Sequence, residues 1–414
     1  MSNPLWVGVD PHRKTNTVCM MDQDGLEVGK RFTVQNNRPG TEAFVREVAL
    51  RAVDGDFDAI HIANEATGWY WWHFFQTLEQ DPVLNQWPLS LYPFNPRLTA
   101  NYKKAMGDLD HSDPIDALYV ADRLRTKRRL PTPFHYDERY LPVRMLTRYR
   151  YHLVHQLARE KSYYLAVLYL KCSEYSRKDK KPFSELFGAT SRVVIQEFAS
   201  IDEIATLPFD ELVEFIDEQG HRRFPDPCKN ARKLQQVAED SYPLPEAMQG
   251  PVNIVLSLSL RHIRSLEGLQ KRIETAIADA MPTIPQTLDT IPGIGPVYAA
   301  GITTEIGDLA RFEYDQAKVA KYAGLAWRKH KSADFEAEET KLTRSGNRYL
   351  RYYLCEAANM VRLKDAEYKA YYHKKFNEVR KHQHKRAIVL TARKLVRLVV
   401  RLLTTNQPYR PRRT

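Results

Sequence analysis

Two apolar segments near the start of the chain each end in a carboxylate, and this feature limits the possible folds most strongly. The segments are "LWVGVD", which ends at Asp10, and "AIHIANE", which ends at Glu65. A carboxylate at the end of a buried strand loses hydration free energy unless it caps a helix, forms an ion pair or binds a cation. If the two strands are neighbours in one sheet, both carboxylates lie at the same edge.

The surrounding segments predict a mixed α/β domain over residues 1–135. Residues 5–34 alternate as three strands, and the "QDG" turn between apolar segments is typical of a hairpin. Helical segments then alternate with apolar ones, in the order "TEAFVREVALRAV", "FDAIHIANE", "GWYWWHFFQTLEQ" and "WPLSLYPFNP". Three antiparallel strands followed by alternating helices and strands predict a mixed sheet with helices packed on it. Ribonuclease-H-like nucleases present their acids on a sheet of this kind.

A further group of acids lies in "GDLDHSDPIDALYV". Asp113 and Asp116, three residues apart, would share one face of a helix that begins near Pro114. Simpler roles are an N-cap, supplied by Ser112 or by Asp113, and a surface acid favoured by the helix dipole for Asp116. Four acids from two strand ends and one helix instead suit Mg²⁺ or Mn²⁺, ions that support phosphodiester chemistry. Asp108 and Asp110 precede the proline and are expected to be solvated.

From about residue 137 the sequence predicts helices only. One long helix starts near "DERYLPV", and a second, "VLSLSLRHIRSLEGLQKRIETAIADAM", has apolar residues at every third or fourth position. These apolar residues are Leu256, Leu260, Ile263, Leu266, Leu269, Ile273 and Ile277. The pattern predicts an antiparallel helical pair or coiled coil over residues 136–282, used for oligomerisation. Residues 183–243 are expected to form a small helical insert.

The segment "LDTIPGIGPVYAAGITTEIG" predicts a helix-hairpin-helix at the start of an all-α domain over residues 283–405. Gly293 and Gly295 would let backbone amides at the N-terminus of the following helix approach a phosphate. Glycine also occurs in such turns for purely steric reasons. Further along, "RKLVRLVVRLL" places Arg393, Arg397 and Arg401 on one face of a helix. A helix that lies on a membrane surface has a similar pattern, but the preceding hairpin favours nucleic acid.

The positive charge is concentrated near the C-terminus. The formal net charge is +11, and residues 341–414 contain about 20 basic and about 4 acidic side chains. A polyanion such as nucleic acid is the natural partner of this region, and residues 406–414 are expected to be a basic tail. No apolar run reaches the roughly eighteen residues of a membrane span, and a secretory signal is not expected. The four separated cysteines indicate reduced cytoplasmic thiols.

The motifs taken together resemble the DEDD-type insertion-sequence transposases. They are "GVDPHRKTNTV", "NEATGWYWW", "SDPIDALYVADRLR", "LDTIPGIGPVYAAGITTEIGDLARF" and "KYAGLAWRKHKSADFEAEETKLTRSGNRYLR", in this order. The resemblance implies a ribonuclease-H-like, Holliday-junction-resolvase-like N-terminal domain and a C-terminal transposase domain. It also implies metal-dependent recombination of double-stranded DNA, guided by a structured RNA of the element. Such a protein would act as a dimer or tetramer in the cytoplasm of a bacterium or archaeon, associated with the nucleoid.

The resemblance also assigns roles to individual residues. Asp10 and the "EATG" glutamate, Glu65, match two of the family's acids, and "SDPIDA" matches its "TDxxDA" motif at Asp113 and Asp116. These four acids are expected to bind Mg²⁺ or Mn²⁺ and to be catalytic. The family's nucleophilic serine corresponds to Ser332 in "HKSADF".

Two sequence details bear on the serine and on nucleic-acid binding. The family commonly has Ser-Gly where this chain has Ser332 followed by Ala333, and Ser345 in "TRSGN" is a rival that better fits a helix cap. Residues around the predicted hairpin and the following helix are expected to contact nucleic acid. They are Gly293, Gly295, Arg344, Asn347, Arg348 and Arg351.

Three other functions compete with this interpretation. In a metal-dependent endonuclease or junction resolvase, metal-activated water would attack the phosphate and Ser332 would be inert. Sugar kinases and actin-like ATPases also end a first strand in an acid, but they need a glycine that "DPHRK" lacks. In a non-catalytic DNA- or RNA-binding protein, the acids would only cap helices.

Overall fold

The computed structural model describes residues 3–107, 112–127, 130–177, 179–327, 331–332, 335–336, 342–343 and 345–411. The chain divides into two compact units, Met1–Glu138 and Arg139–Thr414. The first break therefore lies close to the predicted one at residue 135. The separation of residues 136–282 from 283–405 stays a prediction.

The N-terminal unit contains a mixed five-stranded sheet with the strand order β3-β2-β1-β4-β5. The strands are β1 Pro4–Pro11, β2 Thr15–Met21, β3 Phe32–Gln35, β4 Ala59–Glu65 and β5 Leu89–Phe94. Strands β1, β2 and β3 are antiparallel, and β4 and β5 run parallel to β1. The predicted hairpin and mixed sheet are thereby confirmed, as expected of an α/β ribonuclease-H-like domain.

Helices cover both faces of this sheet. They are α1 Arg38–Asp54, α2 Trp72–Glu79, α3 Pro96–Ala105 and α4 Asp113–Arg125. Apolar side chains of α1 and α2 pack on the face formed by Leu5, Val7 and Val9 of β1. Helix α4 packs on the opposite face, against Trp6 and its neighbours. The alternating side chains of one strand thus build two separate apolar cores.

Gly8 allows α4 to pack unusually close to β1. A Cβ atom at Gly8 would lie 2.3 Å from both the carbonyl oxygen of Ala117 and the amide nitrogen of Ala121. No side chain fits in this space. The close approach of the two backbones brings the first turn of α4 to the end of β1, where Asp10 lies on the same strand face as Gly8.

In the described part of the C-terminal unit, the regular elements are helices and two short strands. Its helices are α5 Leu141–Lys171, α6 Ala189–Glu197, α7 Ile201–Thr206, α8 Phe209–Gln219, α9 Pro227–Glu239, α10 Glu246–Ala280, α11 Pro296–Ile306, α12 Gln316–Tyr322, α13 Arg348–Lys364, α14 Ala366–Asn377 and α15 Gln383–Thr405. The two-residue strands β6 Lys331–Ser332 and β7 Phe335–Glu336 pair with each other. None of the described helices is long and apolar enough to cross a membrane.

Helices α5 and α10 form an antiparallel pair within one chain. Lys161 of α5 forms an ion pair with Glu267 of α10 at 2.8 Å, and the earlier Arg150 pairs with the later Glu274 at 2.7 Å. The predicted antiparallel pair is confirmed, although Leu269 of its apolar stripe is exposed. Helices α6 to α9 form the predicted insert, and they share an apolar core with the pair.

The predicted helix-hairpin-helix lacks its first helix. Two 3₁₀ turns, Met281–Thr283 and Leu288–Thr290, precede the glycine turn, and only the second member, α11, is a full helix. Prolines at positions 282, 285 and 292 explain the difference, because the residue before a proline disfavours helical backbone angles.

Candidate active site

The strand register places Asp10 and Glu65 at one edge of the sheet. Gly8 pairs with Ala63 and Val9 pairs with Asn64, so Asp10 and Glu65 are the next residues on the neighbouring parallel strands β1 and β4. Asp10 is 8% exposed and Glu65 is partly buried. The predicted meeting of the two strand-end acids is confirmed.

Asp113 joins these acids through a histidine. The Nε2 atom of His12 lies 3.3 Å from Oδ2 of Asp10 and 3.2 Å from Oδ1 of Asp113. Asp113 is the first residue of α4, and Ser112, not Asp113, occupies the N-cap position. The simple capping role for Asp113 is therefore wrong, and its carboxylate faces the end of β1.

His12 is a site residue that the sequence reasoning missed. It stands two residues after Asp10 in "DPHRK", just beyond the last residue of β1. Residues two apart on an extended chain point to the same side, and this spacing is the only signal that the sequence offers. The side-chain ligand atoms of Asp10, His12 and Asp113 all lie within 4.8 Å of one another.

Asp116 is paired with a buried lysine. The Nζ atom of Lys103, in α3, lies 2.6 Å from Oδ1 of Asp116, and Lys103 is 5% exposed. This lysine could not be predicted from the sequence, because Lys103 and Lys104 are adjacent in "NYKKA" and only the fold decides which one is buried. Asp113 and Asp116 thus lie in one helical turn, as predicted, but contact different partners.

Burial raises the pKa of Asp10 to about 6; His12 and Lys103 oppose the change, whereas Asp116 and Asp113 add to it. Burial likewise raises the pKa of Glu65, and the negative charges of Asp10 and Asp116 contribute. The negative charges of neighbouring acids therefore oppose the ionisation of Asp10 and of Glu65. A cation among them would remove this repulsion.

The donor set fits a divalent metal ion. Carboxylate oxygens are the ligands that Mg²⁺ and Mn²⁺ prefer, and the imidazole of His12 is acceptable to Mn²⁺ and other transition ions. Asp10 and Asp113 are close enough to share one ion with His12. The charge of Asp116 acts on both Asp10 and Glu65, and the charge of Asp10 acts on Glu65.

The two glycines of the predicted phosphate-binding turn have different surroundings. Gly293 has a φ of +97°, and a Cβ atom there would lie 2.8 Å from the carbonyl carbon of Met360 in α13. A glycine is therefore required at position 293 for steric reasons. Gly295 is the N-cap of α11, and a Cβ atom there would meet no heavy atom within 4 Å. A phosphate contact at this open N-terminus stays a prediction.

Both polar atoms of the Asn347 carboxamide form hydrogen bonds within the protein. Its Oδ1 accepts hydrogen bonds from the amides of Tyr349 and Leu350 at the start of α13. Its Nδ2 donates to the buried Glu305 at 2.6 Å and to the hydroxyl of Tyr322 at 3.0 Å. Asn347, rather than Ser345, therefore caps α13. Its expected nucleic-acid contact stays a prediction.

The remaining predicted residues are only partly described. The Arg348 guanidinium is exposed and lies 4.9 Å from the ring centroid of Tyr349, and Arg351 donates to the carbonyl of Ala323 at 3.3 Å. The backbone of Ser332 is in β6, but its side chain lies outside the described residues. Also outside them are Asp108, Asp110, Ala333 and Arg344.

Two family models match the chain. Residues 7–172 match the DEDD transposase model of the IS110 group, and residues 285–373 match the transposase model of the IS116/IS110/IS902 family. All four predicted acids lie in the first match, and Ser332 lies in the second. No curated protein matches the chain.

Asp10, Glu65, Asp113 and Asp116 are called the acid site below. The fold, the acid site and these matches define a DNA transposase, an enzyme that acts on DNA. The chain belongs to the IS110 family of insertion-sequence transposases.

Proposed function

We propose that the protein cleaves and rejoins DNA strands with Ser332 as nucleophile and with Mg²⁺ or Mn²⁺ held by Asp10, Glu65, Asp113 and Asp116. One observation carries the metal-dependent part: the carboxylates of Asp10 and Asp113 converge on His12 at the end of β1. Such a group of acids is electrostatically costly without a cation, and catalytic sites often have pKa values perturbed in this way.

The chemistry assigned to the chain's own residues is an exchange of phosphate esters. The Oγ atom of Ser332 attacks a DNA phosphorus and loses its proton, and the bond from phosphorus to the departing sugar oxygen breaks. The departing oxygen takes up a proton and leaves as a sugar hydroxyl, so that the exchange involves no net change in protons. The product is a phosphoserine ester that keeps the energy of the original bond. A sugar hydroxyl of the incoming strand then attacks the same phosphorus and releases the serine. Bound divalent ions would stabilise the charge that develops on the phosphate oxygens.

Oligomerisation through the helical pair is part of the proposal. On α10, Ile254 is 61% exposed and Leu258 is 56% exposed, one helical turn apart. On α5, Tyr163 and Leu170 are also exposed. A second copy of the chain would cover these side chains, as expected of a dimer or tetramer. Leu258→Glu should then reduce the mass measured by light scattering, whereas Leu26→Glu, at an exposed leucine of the N-terminal unit, should not.

RNA guidance and a nucleoid-associated, cytoplasmic location also belong to the proposal. The basic C-terminal region supports a nucleic-acid partner, because a net positive surface attracts any polyanion. Purification of the protein with transcripts of its own element tests the RNA part. Specific enrichment of a structured non-coding transcript supports guidance, and recovery of bulk RNA alone contradicts it.

The metal-dependent activity can be tested by DNA cleavage over a titration of Mg²⁺ or Mn²⁺. Asp113→Asn keeps the side-chain volume and removes the charge, so it should lower the cleavage rate at least 100-fold. The matched control, Asp110→Asn, should stay within about twofold of the unchanged protein. Equal activity of the two variants, or cleavage that persists in EDTA, would disprove the metal site.

A further inference from the structure

A basic cleft opens in the C-terminal unit, far along the chain from the acid site. It has a volume of about 360 Å³ and lies between the start of α14, one face of α15 and the segment 406–411. Its lining includes four cationic side chains. They are Lys394, Arg397, Arg401 and Arg410.

The segment 406–411, expected to be part of a basic tail, is docked on the helices. Asn406 has left-handed backbone angles and ends α15. The Thr287 hydroxyl donates to the carbonyl of Gln407 at 2.9 Å, and the Tyr409 amide donates to the Thr290 hydroxyl at 2.8 Å. The Tyr409 hydroxyl also donates to Asp365 at 2.6 Å. These bonds fix the wall of the cleft that carries Arg410.

The four cations of the cleft differ in how they are neutralised. Lys394 forms an ion pair with Glu367 at 2.8 Å and lies 4.9 Å from the ring centroid of Tyr368. Within the described part of the chain, the exposed Arg397, Arg401 and Arg410 form no ion pair. The cleft therefore presents three arginine charges that have no carboxylate partner among the described residues.

The spacing of two of these arginines costs stability. Arg397 and Arg401 are four residues apart on α15, an arrangement in which like charges repel. Arg393 lies one helical turn before Arg397 on the same helix. Its Nη1 atom is buried and has no hydrogen-bond partner among the described residues. Burial lowers the pKa of Arg393, and the charge of Arg397 adds to this effect. An anion in the cleft would offset the repulsion along this face.

We propose that this cleft binds the phosphodiester backbone of a nucleic acid, with Arg397, Arg401 and Arg410 as the contacts. Guanidinium groups form paired hydrogen bonds to phosphate oxygens, and their planar shape reduces the side-chain entropy lost for each hydrogen bond formed. The inference deepens the proposed function, on which it rests for the identity of the ligand. DNA and RNA share this backbone, and the experiment distinguishes them.

The test measures binding of the full chain to a fluorescent 20-base-pair DNA duplex and to an RNA hairpin of similar length. EDTA is present, so that no cleavage occurs. The variant Arg397→Gln/Arg401→Gln removes two phosphate contacts. The control Lys229→Gln/Lys233→Gln removes two exposed charges with the same four-residue spacing on α9. Fluorescence anisotropy gives Kd over a range of salt concentrations.

The cleft variant should raise Kd about tenfold or more at roughly 0.1 M salt, and the control should not. The slope of log K against log salt should become shallower by about two for duplex DNA, because each phosphate contact contributes about 0.9. Arg410→Gln should make this slope shallower by about one. If the cleft variant binds only DNA or only RNA more weakly, that nucleic acid is the ligand of the cleft. If it binds both more weakly, the cleft recognises the phosphodiester backbone of either nucleic acid.

Unchanged affinity and slope for both nucleic acids, in a variant with an unchanged melting temperature, would overturn the proposal. This outcome is independent of the acid site, because binding in EDTA needs neither metal nor Ser332. Conversely, Asp113→Asn should abolish cleavage, and in that background the cleft variant should still weaken binding in EDTA relative to its control. Failure of the cleft and failure of the proposed chemistry are thus separate results.

Discussion

The ammonium nitrogen of Lys103 lies 2.6 Å from Oδ1 of Asp116, and the lysine is almost fully buried. Its positive charge also acts on Asp10 and on Glu65. Lys103 therefore supplies a positive charge from the chain itself to the acid site. It allows the acids to stay close together before any metal ion binds.

Replacement of Lys103 should loosen the acid site in the absence of metal. Lys103→Met keeps much of the side-chain volume but leaves Asp116 without its counter-charge. We expect the opening free energy of β1 and α4 to fall by about 1–3 kcal/mol, below the full cost of a broken buried pair because Asp116 is partly exposed.

Hydrogen exchange in EDTA measures this change. The exposed neighbour provides a control, since Lys104→Met should have almost no effect. Added Mn²⁺ should restore part of the lost protection. Equal exchange in the two variants would contradict the role given to Lys103.

Metal binding should depend strongly on pH near the raised pKa of Asp10. The folded protein holds a proton on Asp10 up to about pH 6, whereas the usual value is 3.8. Between these values the metal-free fold is favoured by that proton, so its stability falls as pH rises from about 4 to 6. A metal ion must displace this proton below pH 6, and above pH 6 the proton on Asp10 no longer competes with the ion.

Calorimetric titration with Mn²⁺ from pH 5 to 7.5 tests this expectation. The apparent affinity should fall about tenfold for each pH unit below 6, as for one displaced proton, and it should level off above 6. A constant affinity across this range would show that Asp10 does not bind the ion.

The four acids of the site show how much of its geometry could be predicted from the sequence. The alternation of apolar residues predicts β1 and β4, and parallel neighbours must bring Asp10 and Glu65 to one edge. The spacing of Asp113 and Asp116 predicts their common helical turn. Their different partners could not be foreseen, because His12 and Lys103 reach the acids only through the packing of α3 and α4 on the sheet.

His12 should influence which ion the site prefers. Imidazole nitrogen binds Mn²⁺ better than Mg²⁺, whose preferred ligands are oxygens. His12→Ala should therefore weaken Mn²⁺ about tenfold and Mg²⁺ by less than threefold, as measured by calorimetry. The control is His73→Ala, at an exposed histidine of α2. An equal loss for both ions would mean that His12 only orients Asp10 and Asp113.

Gly8→Ala tests the close packing that positions α4. The new methyl group would lie 2.3 Å from backbone atoms of Ala117 and Ala121, so α4 must move away from β1. We expect a loss of at least 2–3 kcal/mol of stability, in the range for overpacked cores, together with weaker metal binding.

A matched alanine substitution shows what glycine removal costs elsewhere. A Cβ atom at Gly268, in α10, would meet no heavy atom within 4 Å, and alanine is favoured over glycine inside a helix. Gly268→Ala should therefore be neutral or stabilising by up to about 1 kcal/mol. Chemical denaturation measures both variants, and similar values would contradict the proposed packing role of Gly8.

The C-terminal unit shows the limits of local patterns. Helical periodicity predicts α5 and α10 because their apolar stripes are long. The glycine turn at Gly293 looks like part of a helical hairpin, but nearby prolines leave only 3₁₀ turns before it. The segment around Tyr409 looks like a solvated tail, and only its hydrogen bonds to distant residues reveal the docked position.

The central claim is that Ser332 forms a covalent ester with DNA in a reaction that depends on the acid site. End-labelled substrate DNA, incubated with protein and Mg²⁺ and then denatured, should migrate with the protein on a denaturing gel. Ser345→Ala should retain the adduct, whereas Ser332→Ala and Asp113→Asn should lose it at least 100-fold. An adduct that persists in Ser332→Ala, or strand cleavage by that variant at the unchanged rate, would contradict the account and favour attack by water.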